Sequence, residues 1–150
     1  MSLAQPGASR LWSLVFRVQY RLLRWIDPPI HALWRRVGIG NVVELRVAGR
    51  RSGQTRAILL GLLVSEGRWY LGHPNGAARW TRNLDAAGRA LVVRGGATTA
   101  VRAVALPQGP ERERAILATW QHPFPGNLIY RLARRHILVV GRYYRLEPEG

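Results

Sequence analysis

The 150-residue chain sets 23 cationic side chains, all arginine, against eight carboxylates, for a formal net charge of +15. It has no cysteine, which excludes disulfides, thiolate metal sites and cysteine nucleophiles. The length suits one domain with a real core rather than two, and the charge points to nucleic acid, an anionic membrane or an anionic ligand as partner.

The first segment, "SRLWSLVFRVQYRLLRWID", predicts a helix with Ser9 as N-cap and Asp27-Pro28-Pro29 as its stop. On a wheel of about 100° per residue, Arg10, Arg17, Arg21 and Arg24 fall on one narrow stripe. Trp12, Val15, Phe16, Val18, Leu22, Leu23, Trp25 and Ile26 cover most of the rest. A second short helix is expected from Pro29 to about Val37, carrying Trp34, Arg35 and Arg36. A broad apolar face with tryptophans and a thin arginine stripe suits residues 10–36 to an anionic membrane surface. It also suits a helix packed on the protein's own barrel or on a second subunit. No uninterrupted apolar run is long enough to span a bilayer, and arginines break the N-terminal stretch, so neither a transmembrane helix nor a signal peptide is expected. A boundary near Gly38-Ile39-Gly40 separates residues 1–37, an amphipathic helical segment, from 38–150.

From Asn41 the texture changes. "VVELRVAG" predicts a strand, followed by the turn "GRRSGQTR" and then "AILLGLLVSEG", a largely apolar strand. "RWYLGH" is a further strand, "AARWTRNLDAAGR" a short helix ended by Gly88, and "ALVVRGGATTAVRAVAL" a hairpin about Gly95-Gly96. "GPERERAILATW" predicts an amphipathic helix with acids in its first turn, where they complement the macrodipole. "NLIYRLARR" reads as helical and "HILVVGRYYRLEP" as a final strand. Hairpin-connected strands with short helices inserted predict an α+β fold built on a small antiparallel barrel, not a parallel α/β sheet.

Two stretches carry candidate chemistry. In "GRRSGQTR", Gly and Ser expose backbone N–H groups, and the flanking arginines add fork-shaped donors for phosphate or carboxylate oxygens. The same residues also make an ordinary solvated hairpin turn. "HPNGAARWTRNL" joins a strand to a helix, and such a junction turns helix N–H groups toward an anion or a polar ring edge. His73 at this junction is a ligand donor, a proton donor or an ordinary loop histidine. No second histidine or acid stands at metal-ligand spacing, so no metal site is expected. No serine sits in a nucleophile elbow, and Glu66, Glu111, Glu113, Glu147 and Glu149 fall in turns, helix starts or the tail. If the protein is an enzyme, a cofactor carries its chemistry. Nucleic acid is disfavoured, since the aromatics form no stacking platform.

The order "GRRSGQTR", apolar strand, "GRWYLGHPNGAARWTRNLDAAGRALV" resembles the deazaflavin-dependent nitroreductase family over about the last two-thirds of the chain. The resemblance implies a split β-barrel related to flavin reductases, binding coenzyme F420 in preference to FMN. It implies an F420-dependent reductase, often dimeric, of actinobacterial origin, acting on a lipophilic quinone, enone or nitro-type acceptor. By the same resemblance Arg50, Arg51, Ser52, Gly53 and Arg56 grip the cofactor's phosphate and acidic tail. His73, Asn75, Gly76, Trp80 and Asn83 lie along its ring or side chain. Tyr130 stands on the substrate side, with Asn127 where a second aromatic is expected, and Tyr130 and His73 are the expected catalytic residues. With the amphipathic N-terminus, the implied location is cytoplasmic, peripheral at the inner face of the plasma membrane. The alternative is a non-catalytic lipid- or fatty-acid-binding, membrane-surface protein on the same scaffold.

Overall fold

The computed structural model describes residues 10–18, 41–122 and 125–149. Its strands are β1 (Val42–Ala48), β2 (Thr55–Gly61), β3 (Leu63–Ser65), β4 (Arg68–His73), β5 (Arg89–Arg94), β6 (Ala97–Ala105) and β7 (Arg142–Pro148). Residues 10–18 form helix α1, and α2 (Arg79–Ala87) joins β4 to β5. Between β6 and β7 come α3 (Pro110–Leu117), a 3-10 turn (Ala118–Gln121), α4 (Gly126–Leu132) and α5 (Arg134–Val140).

All strand pairs are antiparallel, in the order β2-β1-β5-β6-β7-β4-β3. The two edge strands, β2 and β3, are separated in the chain by Leu62 alone. Opposite edges joined by one residue force the sheet to curl on itself. The result is the α+β split barrel that the sequence predicted.

The stretch "AILLGLLVSEG" is therefore two strands rather than the expected one. Asn41 holds the break at Leu62 from both sides: its carbonyl accepts the Leu62 N–H at 2.8 Å and its Nδ2 donates to the Leu62 carbonyl at 3.1 Å. The backbone groups that leave the ladder are thus satisfied.

Strand alternation sorts side chains into two cores. Val43, Leu45, Leu60, Leu71, Val92, Val101, Tyr144 and Leu146 point into the barrel, where Trp80 and Leu84 of α2 plug it. The opposite face of β3, β4 and β7 presents Leu63, Tyr70 and Tyr143 to a layer of helices, which contribute Phe16, Ala115, Ile116, Ala133 and Ile137. Gly72 is required by this second packing. It pairs with Tyr143 across the sheet, and a Cβ at its position would lie 2.1 Å from the Tyr143 ring.

The last expected strand is corrected as well. Residues 136–140 of "HILVVGRYYRLEP" lie in the helix α5, and the strand begins at Arg142. The β-branched run reads as a strand locally, but Ile137 is needed in the second core, and buried Arg112 binds the carbonyls that end the helix. Tertiary contacts override propensity here.

The N-terminal helix is found over residues 10–18, where it buries Phe16 and packs Trp12 beside the second core. The expected helix from Pro29 to Val37, the arginines at 21 and 24, and the boundary at Gly38-Ile39-Gly40 lie outside the described residues. Among the described residues no helix is long and apolar enough to cross a membrane.

Candidate functional site

The turn between β1 and β2 is closed by its own backbone. Gly49 N–H donates to the Gln54 carbonyl and Gly53 N–H to the Gly49 carbonyl, both at 2.8 Å. Gly53 takes a φ of 72°, the left-handed region that glycine enters without steric cost. Ser52 Oγ accepts the Gln54 N–H at 3.2 Å, so the hydroxyl serves the turn itself. Residues 50–56 are all exposed. Arg56 pairs with Val47, on the strand face that points into the barrel one step further along, which sets it at the rim.

Asn83 ties this turn to α2. Its buried Oδ1 accepts both the Arg50 backbone N–H at 3.2 Å and Arg50 Nη1 at 3.0 Å. Two stretches more than thirty residues apart in sequence thereby meet at one atom. Arg79 lies four residues before Asn83, so it shares that helix face, and its first turn holds no acid. Among the described residues Arg51, Arg56, Arg79 and Arg82 have no carboxylate partner. Five of the carboxylates are used elsewhere. Glu44 is held by Arg46, Asp85 by Arg142, Glu111 by Arg145, Glu147 by Arg102 and Arg145, and Glu149 by Arg89. The cluster around Arg50 is therefore a concentration of uncompensated donors, the chemistry that suits phosphate and carboxylate.

The junction from β4 to α2 is more structural than the sequence suggested. His73 is 7% exposed, its Nδ1 accepts the Asn75 N–H at 3.2 Å, and its ring lies 6.2 Å from that of Trp80. Asn75 fastens the helical layer: its Oδ1 is 3.1 Å from His136 Nε2, and its Nδ2 donates to the Ser13 carbonyl at 3.4 Å. Trp80 sits in the barrel core, with Nε1 buried and without a hydrogen-bond partner among the described residues. Gly76 lines a cleft of about 370 Å³, together with Gln108, Arg112 and Arg142, apart from the arginine turn.

Tyr130 stands apart from both groups. It lies on α4 with its ring 5.9 Å from Phe16 and 4.7 Å from His122. His122, which sequence reasoning did not single out, covers Gly61 so closely that a Cβ there would lie 2.3 Å from its ring. Its Nδ1 is 3.2 Å from Asn41 Nδ2. Gly61 and Asn41 mark the end of the β1–β2 pair opposite the arginine turn, about 20 Å away at roughly 3.3 Å per strand residue. Arg79 was within reach of sequence reasoning, through its helical spacing from Asn83. His122 gave no local signal.

Burial pulls His73 and His122 each down to about 4, from an ordinary 6.5. Both are neutral at physiological pH, so neither is an imidazolium acid there. Because the unfolded chain takes up protons near its ordinary value and the native chain resists, stability is complete above about pH 6.5 and falls as pH drops toward 4. Urea unfolding at about pH 4.5 is expected to show a loss of about 2 kcal/mol per histidine relative to neutral pH. Constant stability over that range would contradict the burial of both rings.

No protein-family model matches the chain, and no curated protein matches it either. Solved structures do. An F420-H2 dependent reductase is similar over 71% of this chain and 94% of its own, with 16% identity and a TM-score of 0.55. A structure described as a domain-swapped dimer is similar over 83% and 98%, with 18% identity and a TM-score of 0.56. The heme storage protein HutZ of Vibrio cholerae is similar over 82% and 90%, with 16% identity and a TM-score of 0.55. At these identities what is shared is the split-barrel fold.

Proposed function

We propose that the protein is an oxidoreductase that binds coenzyme F420 and reduces a lipophilic quinone, enone or nitro-type acceptor. The observation that carries this reading is the Arg50–Asn83 contact, which joins the arginine turn to α2 amid arginines without carboxylate partners. The donor set fits the cofactor's anionic half: Arg50, Arg51 and Arg56 with the Gly53 turn backbone can hold a phosphate and an acidic tail. The barrel shared with an F420-H2 dependent reductase supports the same choice. In its reduced form such a cofactor supplies a hydride, and the protein's part is to bind, orient and exclude water.

In this reading Asn83 fixes Arg50, and His73 holds the loop carrying Asn75 and Gly76 rather than moving a proton. Trp80 supports that loop from the barrel core. Tyr130 offers its phenol to the acceptor. A ligand that meets both the turn and Tyr130 must be extended, as a ring cofactor with a phosphate and an acidic tail is. A homodimer is part of the proposal, in keeping with the domain-swapped dimer among the similar folds.

The test is a fluorescence titration of the purified protein with oxidised F420, with FMN and hemin as competitors. Saturable binding that neither displaces is expected. Tighter binding of FMN or hemin, or no binding of F420, would overturn the assignment. Failure to bind any of the three would favour the second reading, a lipid-binding protein without catalysis, for which the exposure of Trp120 at 72% speaks.

A further inference from the structure

Helices α1, α3, α4 and α5, with the 3-10 turn, form one layer over the outer face of β3, β4 and β7. A layer buried on one side should be polar on the other. This one is not. Among the described residues, eight of the ten exposed large apolar side chains belong to it, so the exposure is concentrated rather than scattered.

The pattern repeats from element to element. On α1, Leu11, Leu14 and Val18 share a stripe on the side away from buried Phe16, flanked by exposed Arg10 and Arg17. On α4, Leu128 and Leu132 lie one turn apart beside exposed Arg131, with Leu132 at 65% exposure. Val139 of α5 shares its outward side with Arg134 and Arg135. Leu117 ends α3 near exposed Arg114, and Trp120 follows on the 3-10 turn. None of these arginines has a carboxylate partner among the described residues.

We infer that this helical layer is a docking surface for an anionic lipid bilayer, built jointly by α1 and the C-terminal helices. Apolar side chains and an exposed tryptophan enter the headgroup boundary, while guanidinium groups meet lipid phosphate. Charge complementarity selects the occupant: the outward arginines carry one sign, with Glu113 the exposed acid among them on α3. Nucleic acid would match the charge but leave Trp120 and the leucines in water. The inference does not depend on the cofactor, since a barrel without one would present the same layer.

Flotation of the full chain with phosphatidylcholine vesicles, with and without phosphatidylglycerol, tests it. Binding to the anionic vesicles alone, weakened by salt, is the expected result. The triple substitution Arg131→Gln, Arg134→Gln, Arg135→Gln is expected to weaken binding about a hundredfold, at roughly fivefold per arginine near an anionic surface. A second variant, Trp120→Ser with Leu128→Ser and Leu132→Ser, is expected to abolish flotation. Both sets are exposed, so thermal unfolding should be nearly unchanged, which separates lost docking from lost folding. No wild-type flotation on anionic vesicles, or flotation indifferent to both variants, would overturn the inference. So would a serine variant that only turned a dimer into a monomer, because the layer would then be an interface between copies of the chain.

Discussion

Arg112→Ala is expected to lower the free energy of unfolding by about 4 kcal/mol, since hydrogen bonds to a charged group contribute roughly 1.5–3 kcal/mol each and do not add fully. Arg112 is 3% exposed, and burial lowers its pKa, so its charge is maintained by donated hydrogen bonds. Nη1 donates to Gln108 Oε1 at 3.1 Å and to the Leu138 carbonyl at 2.8 Å. Nη2 donates to the Ile137 carbonyl at 3.2 Å and to that of Gly141. These carbonyls end α5, where an α-helix runs out of N–H donors of its own and where a cation complements the dipole. Alanine would take from the Gly141 carbonyl its guanidinium donor, leave Ile137 with the Gly141 N–H alone and Leu138 with the Gln108 amide alone, and free the junction from α5 to β7. Arg112→Lys should recover only part of the loss, because an ammonium cannot reproduce the planar fork. Denaturant unfolding reads both variants, and a loss below about 1 kcal/mol for alanine would show that the helix end is held by other contacts.

The double variant Arg50→Ala, Arg56→Ala is expected to weaken F420 binding by at least about a hundredfold, because two guanidinium groups that donate charge-assisted hydrogen bonds are removed together. Stability should change little. Both side chains are exposed, and the backbone N–H of residue 50 still reaches Asn83 when its side chain is gone. Arg94→Ala, an exposed arginine at the far end of β5, is the control for charge alone and should leave affinity close to wild type. The wild-type affinity should fall with added salt and the double variant's much less. Equal affinity in wild type and double variant would return the turn to an ordinary solvated hairpin.

Several features follow from the sequence with no tertiary information. Alternation in "VVELRVAG" sets which side of β1 enters the barrel, because side chains on a strand alternate strictly. The two glycines at 95 and 96 take positive φ and place the β5–β6 hairpin, and Gly88 ends α2 in the left-handed conformation. The concentration of arginine in "GRRSGQTR" is legible in the same way. Local chemistry decides these features, so local reading reaches them.

Other features belong to the folded molecule alone. Nothing within "AILLGLLVSEG" marks Leu62 as the point where the chain leaves β1 for β4, since the bonds that hold the break come from Asn41. The run after His136 has strand-forming side chains and becomes a helix because the second core takes Ile137 and Arg112 takes the carbonyls. The sequence leaves His73 as a ligand donor, a proton donor or an ordinary loop histidine, and packing beside Trp80 buries it and holds it neutral. The chain by itself determined β1, the β5–β6 hairpin, its arginine turn and its excess of positive charge. Only the tertiary structure decided which of those charges stay unpaired, because Asp85, Glu111, Glu147 and Glu149 are claimed by arginines of other elements, while Glu44 is held by Arg46 of its own strand. Pairing between elements is a matter of distance in space, which spacing along the chain does not encode.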